Sequence, residues 1–328
     1  MRIVPKHRRL VVGSRDFKVF EYKKPFNSDT SDDNPIFCAL FSPIRFEFYI
    51  AGERSINVWN ARDGTPTRCF KNCMESDITA MALDKDHRKL IVGSHLGKLK
   101  VFDLLSGVMI NVLDHHSEEN GEVSFIGYGE DDLTIITTAW DKEIKIHKDD
   151  RDEQVKPDKK VYRGKENSHQ KDIICGDYAH YLGLIATGGR DNVVCVWDYE
   201  NMRIQDELIA HKEEVNIVKF LKPFPLLVSC DSKGAMNVWL LHLHGQGRKL
   251  VAQWDNKHSM GTEVAISAID SYYNAETGDL ILLLGDEKGD VKLQSLRQVI
   301  DHYKLVPIDI VKADKKRNPH RYILYKNS

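Results

Sequence analysis

The stretch HQKDIICGDYAHYLGLIATGGRDNVVCVWD, residues 169–198, decides the fold of this chain. It contains three short apolar runs, and the last two are separated by the tight turn at residues 189–192. Runs of this length, bounded by turn residues and rich in alternating apolar side chains, predict an antiparallel meander. With one further outer strand, such a unit measures about forty residues. The same pattern returns along the chain, which predicts a repeat architecture.

The repeats can be aligned on Trp197, near the end of the third run. The equivalent positions are Trp59, Phe102, His147, Trp239 and Gln294. Their spacing is close to the roughly 40–45 residues of a four-stranded repeat unit. The predicted fold is therefore all-β, with about seven units of four antiparallel strands. The units are expected near residues 1–25, 36–72, 78–117, 122–166, 172–211, 214–258 and 264–311.

The two ends of the predicted array need separate treatment, because open strand edges favour unwanted pairing. The first unit is expected to be incomplete, since its first strand is reduced to a stub at residues 1–5. Either Leu305–Val311 or Tyr322–Tyr325 supplies a missing strand, or the chain is part of a longer protein, which we favour. Residues 148–168 predict a long charged insertion, and residues 312–328 a basic tail, solvated or in contact with an acidic partner.

Composition excludes several classes of function. The formal net charge of −2 argues against a bulk electrostatic grip on nucleic acid. No apolar run approaches bilayer length, and the amino terminus lacks the apolar core of a signal peptide. The six cysteines are scattered and lack zinc-ligand spacing, which favours free thiols in a reducing compartment. We therefore expect a cytoplasmic protein with no metal, no cofactor, no membrane contact and no small-molecule substrate.

The strongest local signal is the ordered set His169, Thr187, Asp191 and Trp197. Together with the repeat period, this set resembles the WD40 repeat. The resemblance implies a β-propeller in which the four side chains form a hydrogen-bonded chain that pins each blade. A hydrolase triad uses the same residue types. However, the chain has no Gly-x-Ser-x-Gly turn, and the hydroxyl belongs to a threonine inside an apolar strand. No catalytic residue is therefore predicted, and the chain is not expected to be an enzyme.

Two other units keep parts of this set. His211, Ser229 and Trp239 recur at the same intervals, but Lys233 stands where the aspartate is expected. Thr137 and Asp141 recur in another unit, where His147 replaces the tryptophan. The sequence therefore predicts one complete network and two broken ones.

Four segments indicate a narrower resemblance: Phe37–Asn72, Ile78–Leu105, Pro225–Ser232 and Asn318–Arg321. They are similar to the carboxyl-terminal propeller of the WD repeat-containing protein 49 family, whose relatives are associated with cilia and flagella. The resemblance implies a non-enzymatic scaffold that docks axonemal or microtubule-associated proteins in the ciliary axoneme.

Two alternatives stay open. One is a substrate receptor of a cullin-type ubiquitin ligase, because Trp59-Asn60-Ala61-Arg62 approximates the Trp-Asp-x-Arg element of such receptors. The other is a generic cytoplasmic scaffold.

Partner binding is predicted on the turns between second and third strands. These turns display His95, Trp140, Arg190 and Lys233. Tryptophan and arginine are common anchors of protein interfaces, which favours Trp140 and Arg190. The alternative is that Trp140 covers a neighbouring blade and that Arg190 is an ordinary surface charge.

Overall fold

The computed structural model describes residues 36–117, 119–129, 134–148, 169–241, 248–257 and 261–310, and the backbone of four further strands before residue 36 and near residue 160. The chain divides into two compact units, residues 1–164 with 171–173, and residues 165–170 with 174–328. Nearly all of its regular structure is antiparallel β-sheet, in which each strand pairs with the next one along the chain.

The first compact unit carries one three-stranded sheet and three four-stranded sheets. The three-stranded sheet contains β1 (Arg2–Val4), β2 (Arg9–Gly13) and β3 (Phe17–Glu21). The four-stranded sheets contain β4 (Cys38–Ser42), β5 (Glu47–Ala51), β6 (Ile56–Asn60) and β7 (Pro66–Phe70); β8 (Ile78–Leu83), β9 (Lys89–Ser94), β10 (Leu99–Asp103) and β11 (Met109–Leu113); and β12 (Val123–Tyr128), β13 (Thr134–Ala139), β14 (Glu143–Lys148) and β15 (Lys160–Arg163).

The second compact unit carries two four-stranded sheets, one three-stranded sheet and a short helix. The strands are β16 (Ile173–Ala179), β17 (Leu184–Gly189), β18 (Val193–Asp198) and β19 (Arg203–Ile209); β20 (Val215–Phe220), β21 (Leu226–Asp231), β22 (Ala235–Leu241) and β23 (Arg248–Asp255); and β24 (Ile266–Asn274), β25 (Asp279–Asp286) and β26 (Val291–Ser295). The helix is α1 (Arg297–Tyr303). Among the residues that the structure describes, no helix is long and apolar enough to cross a bilayer.

The second strands are the most deeply buried elements. Every residue of β13, β17 and β21 is buried. A strand that is covered on both faces has no solvent-facing polar side, and these three strands lack one. Their polar side chains, which include Thr137, Thr187 and Ser229, are buried. The last residues of such strands are closely packed. A Cβ added to Gly188 would lie 2.7 Å from Val215 Cγ1, and one added to Gly93 would lie 2.7 Å from Val123 Cγ1.

A shared irregularity supports the alignment of the repeats on Trp197. The pairing of the third strand with the fourth shifts by one residue immediately before Trp59, Phe102, Trp197 and Trp239. A β-bulge strengthens the local twist and re-aims the side chain next to it. Because the bulge recurs at the same place in four sheets, these positions are structurally equivalent.

The structure corrects the expected number of blades. It shows six, beginning with β4–β7 and ending with β24–β26, and the expectation of about seven is wrong. The residues assigned to an incomplete first blade do form the sheet β1–β2–β3. This sheet is not counted as a blade, because a blade is recognised by the side chains that it packs against its neighbours. Side-chain burial is described only from residue 36 onward.

The predictions for the last repeat and for the insertion at residues 148–168 are also corrected. The β24–β26 sheet has three strands, and α1 follows where a fourth was expected. Residues 305–310 form no strand, and the Ile308 backbone N–H instead donates to the Pro223 carbonyl oxygen at 2.9 Å. The insertion at 148–168 contains β15, which is the fourth strand of its own sheet. Tyr322–Tyr325 and the basic tail lie outside the described residues.

Candidate functional site: buried networks and the turn rim

The network predicted from residues 169–198 is a continuous chain of hydrogen bonds. His169 Nδ1 lies 3.0 Å from Asp191 Oδ1, and His169 Nε2 lies 2.8 Å from Thr187 Oγ1. The Trp197 indole N–H donates to the same Thr187 oxygen at 2.9 Å. A neutral imidazole protonated on Nδ1 satisfies every group: it donates to the carboxylate and accepts from the hydroxyl, which in turn accepts from the indole.

Asp191 links this network to the turn between β17 and β18. Its carboxylate also accepts hydrogen bonds from the backbone N–H groups of Gln170 and Val193. Burial opposes ionisation of this carboxyl group, but the bonds from His169 and from the backbone outweigh burial and lower the Asp191 pKa. Thr187 itself has no solvent-exposed surface. The aspartate therefore fixes the loop before β16, the imidazole and the turn in one arrangement.

The network of the β20–β23 sheet is complete, which corrects the prediction that Lys233 breaks it. His211 Nε2 lies 2.7 Å from Ser229 Oγ, and the Trp239 indole N–H donates to that oxygen at 2.9 Å. The missing carboxylate comes from Asp231, whose Oδ2 lies 3.2 Å from His211 Nδ1. The Lys233 ammonium pairs instead with Glu213 outside the network.

The equivalent position in the β16–β19 sheet explains why Asp231 can supply the carboxylate. Asp231 follows Ser229 by two residues, as Gly189 follows Thr187. A Cβ added to Gly189 would lie 2.5 Å from His169 Nδ1, so this position points directly at the imidazole. A carboxylate can therefore reach the ring from this strand position as well as from the turn. Where the turn carries the aspartate, the strand position holds a small residue, which is Gly189 in the β16–β19 sheet and Ala139 in the β12–β15 sheet.

A third complete network lies in the β12–β15 sheet and contains a residue that the sequence reasoning missed. His116 Nδ1 lies 2.9 Å from Asp141 Oδ2, and His116 Nε2 lies 2.9 Å from Thr137 Oγ1. His147 Nε2, which stands in the place of the tryptophan, lies 3.0 Å from the same hydroxyl. The sequence pattern placed the histidine 18 residues before the hydroxyl, as His169 precedes Thr187. It missed His116 because this residue precedes Thr137 by 21 residues. A search that allowed the loop length to vary would have found it.

One group of possible metal ligands coincides with this third network. Ligand atoms of His116, Asp141 and Glu143 lie within 4.8 Å of one another. Both ring nitrogens of His116 are engaged by Asp141 and Thr137, and a carboxylate oxygen of Glu143 lies 3.3 Å from Lys145 Nζ. The arrangement is that of a hydrogen-bonded turn, and the absence of a metal stays a prediction.

We expect acid to weaken the fold in two separate pH ranges. Burial lowers the pKa of His211, and its bond to Asp231 offsets this only in part. The unfolded chain then binds protons more readily than the native state once the pH falls below the ordinary histidine pKa of about 6.5. The stability contributed by neutral His211 is present above that pH and is lost as the pH falls towards the folded value.

Asp141 and Asp191 act at lower pH, because their folded pKa values are lowered by the hydrogen bonds that they accept. Their contribution is present above the ordinary aspartate pKa of about 3.9 and is lost below it. Urea midpoints measured from about pH 8 to about pH 3 should decline in two steps. The His211→Gln variant should lack much of the first step, and an equal first step in that variant would contradict the assignment.

Three of the predicted rim residues, His95, Trp140 and Arg190, form contacts between one sheet and the next. In the first compact unit, His95 Nδ1 lies 2.6 Å from Glu122 Oε2, and the His95 ring meets the Trp140 ring edge-on at 6.4 Å between centroids. In the second unit, the Arg190 guanidinium lies 3.8 Å from Glu214 Oε2. Glu122 and Glu214 each directly precede the first strand of the next sheet. Trp140 and Arg190 therefore each contact a neighbouring sheet, and partner binding by these residues stays a proposal.

Two further features bear on function. The Arg62 guanidinium of the ligase-like element lies 5.0 Å above the Phe46 ring, and the Arg62 backbone N–H donates to Asn60 Oδ1. A recess of about 470 Å³ lies along β4, β8 and β12. Two hydroxyl groups on its wall are already engaged, since Thr79 donates to the Val123 carbonyl oxygen and Ser124 bonds to Thr138.

Repeated antiparallel meanders with a shared bulge and a buried His–Ser/Thr–Asp network define an all-β protein of the WD40 propeller class. Residues 64–103 and 162–198 match the family described as WD domain, G-beta repeat. Each match runs from the outer strand of one sheet through the third strand of the next. The family unit is therefore offset by one strand from the blade, and each match joins two sheets that are consecutive along the chain.

Relatives at the sequence level are associated by name with cilia and with the cell cycle. The chain is 27% identical over 143 residues to cilia- and flagella-associated protein 337 B of Tetrahymena thermophila, covering 44% of this chain and 11% of that protein. It is 22% identical over 200 residues to mouse cilia- and flagella-associated protein 52, covering 57% and 29%. It is 23% identical over 244 residues to meiotic fizzy-related protein 1 of Schizosaccharomyces pombe, covering 73% and 52%.

The chain thus spans about half or less of the length of these relatives. Among solved structures, the computationally designed Ika8 protein has a similar fold, with a TM-score of 0.64 and 20% identity, covering 88% of this chain and 83% of that one. At this identity the likeness concerns the fold alone. The finer assignment to the WD repeat-containing protein 49 family is not shown by these matches.

Proposed function

We propose that this chain is a non-enzymatic scaffold of the cilium that holds axonemal or microtubule-associated proteins on the turn rim of its blades. The observation that carries this proposal is the threefold occurrence of the buried network, which fixes one turn in each of three sheets. A surface of fixed turns binds partners without the entropy cost of ordering loops. The two cilia- and flagella-associated relatives support the ciliary part, and membership of the WD repeat-containing protein 49 family belongs to the same proposal.

The networks themselves support a structural role over catalysis. The hydroxyl groups of Thr137, Thr187 and Ser229 belong to residues with no exposed surface. Each hydroxyl already bonds to an imidazole and to a second ring N–H group in its own sheet. A nucleophile must reach its substrate, and a hydroxyl group buried in this way cannot.

Trp140→Ala tests the rim. We expect it to weaken partner capture strongly and to leave the melting temperature within a few degrees of the original, because Trp140 is only partly buried and packs on the half-exposed His95 ring. The measurement is proximity labelling in a ciliated cell, combined with a thermal melt of each purified variant. Lys85→Ala, an exposed change outside the turn rim, is the matched control. A large fall in melting temperature would make Trp140 a packing residue and would remove it from the rim.

A second candidate function is that of a substrate receptor of a cullin-type ubiquitin ligase. It is favoured by Arg62, which is an exposed residue of the ligase-like element. The same labelling experiment separates the two. Axonemal neighbours that are retained in Arg62→Ala support the scaffold, whereas ligase subunits that are lost in Arg62→Ala support the alternative.

A further inference from the structure

The outer strand of the second blade, β11, is an exposed apolar edge. It pairs with β10 on one side and forms the border of its sheet. Met109, Ile110 and Val112 are 49%, 40% and 57% exposed, and the strand contains no charged residue. Natural proteins guard such edges with charges or proline, because unpaired backbone groups invite a further strand.

The other outer strands of the four-stranded blades carry that protection. Each of them contains at least one charged residue: β7 has Arg68 as well as Pro66, β15 has Lys160 and Arg163, β19 has Arg203, Asp206 and Glu207, and β23 has Arg248, Lys249 and Asp255. The contrast with β7 is the sharpest, because β7 and β11 share the same order of exposed and buried positions and the same bulge in their pairing. Cys69 of β7 is the equivalent of Val112.

One backbone donor of β11, the Val112 N–H, faces away from β10 at this edge. Val112 lies opposite Lys100 of β10, but its N–H donates to the side-chain oxygen of its own neighbour Asn111 at 2.8 Å. In an antiparallel ladder, residues alternate between facing the partner strand and facing outward. The Val112 N–H therefore faces outward, where the carbonyl oxygen of an added strand can replace the Asn111 oxygen.

We propose that the β11 edge binds an extended, uncharged segment of a partner protein, which adds to the second blade as a fifth strand. Leu105 and Val108, both 63% exposed, continue the apolar strip before the strand. Backbone groups of the edge would provide the hydrogen bonds, and alternate aliphatic side chains of the segment would pack beside Ile110 and Val112.

Size and charge favour a linear segment over a second folded copy. A stable interface between two folded proteins buries about 1,200–2,000 Å², whereas β11 offers a border of five residues and a short apolar strip. An extended segment can follow that border over its whole length. A segment with charged residues at its centre would lose their hydration against Ile110 and Val112 without gaining a partner, so the occupant is uncharged there.

The test uses the full chain and a fluorescein-labelled peptide, Lys-Thr-Val-Thr-Val-Thr-Val-Lys, in anisotropy titrations. Its control is the same peptide with N-methylated threonine and valine amides, which keeps the side chains but removes the backbone donors. The protein variant is Val112→Glu, because the introduced carboxylate lies opposite Lys100 and so charges the edge without opposing the fold. Cys69→Glu is the matched control on β7, and Ile110→Lys is a second variant should Val112→Glu melt early.

The expected result is saturable binding to the unchanged protein and to Cys69→Glu, with affinity at least about tenfold weaker for Val112→Glu and for the methylated peptide. Equal binding to the unchanged protein and to both edge variants, equal binding of the methylated peptide, or no saturable binding would overturn the proposal. Sedimentation that shows a dimer dissociated by Val112→Glu would also overturn it, in favour of pairing between two copies.

Discussion

Asp231→Gly is expected to lower the free energy of unfolding by about 2–4 kcal/mol, because it leaves a buried imidazole donor unpaired and removes the turn cap. Asp231 is 3% exposed and bonds to His211 as well as to the backbone N–H groups of Lys233 and Ala235. Lys233→Ala should leave the urea midpoint nearly unchanged, since its ammonium pairs with Glu213 at the surface. Urea denaturation of both variants measures the difference.

A compensating double variant makes this prediction sharper. Asp231→Gly combined with Lys233→Asp moves the carboxylate from the strand to the turn, which is the arrangement found at Gly189 and Asp191. The two turns match, because the residue after each of these turn positions, Asn192 or Gly234, has a positive φ of 67° or 90°. We expect the double variant to regain most of the lost stability. A double variant no more stable than Asp231→Gly would contradict the equivalence of the two positions.

Thr187→Val is expected to cost about 2–4 kcal/mol, although it keeps the shape of the side chain. The hydroxyl is the single group that joins His169 to Trp197, and both partners are buried. Its removal leaves an indole donor and an imidazole acceptor without a partner in a region with no access to water. Chemical denaturation monitored by tryptophan fluorescence would measure the loss.

Thr187→Ser is the matched control, because serine performs this role at position 229 of the neighbouring sheet. It should cost less than about 1.5 kcal/mol, the value of one buried methyl group. A Thr187→Val protein as stable as Thr187→Ser would show that shape alone matters at this position. The network would then not pin the blade.

Most of the strand pattern could be predicted from short stretches of the sequence. The alternation around residues 169–198, the glycine-bearing turns and the spacing from Trp197 predicted strands that the structure contains, and the repeats are confirmed as WD40 repeats. These signals depend on residues that are near in sequence, since periodicity and turn chemistry act within one meander.

Predictions that depended on distant residues failed. The sequence reasoning placed the carboxylate of the second network at a fixed interval and therefore missed Asp231. It used the same fixed interval before Thr137 and therefore missed His116. Hydrogen bonding responds to where an oxygen atom lies in space, and a strand position or a longer loop can deliver that atom equally well. The expected fourth strand of the last blade failed for a related reason. Ile308 and Ile310 pack against the core of the preceding sheets instead of pairing with β26.

By itself, the sequence determined that this protein is all-β, that its strands come in repeated meanders and that histidine, a strand hydroxyl group and a turn aspartate recur at ordered positions within them. The tertiary structure alone decided how many blades form, which carboxylate completes each network and which outer strand is left as an unguarded edge. The physical reason is that a strand is specified by its own alternation of side chains. Partners in a network and neighbours at an edge are specified by packing between segments that lie far apart along the chain.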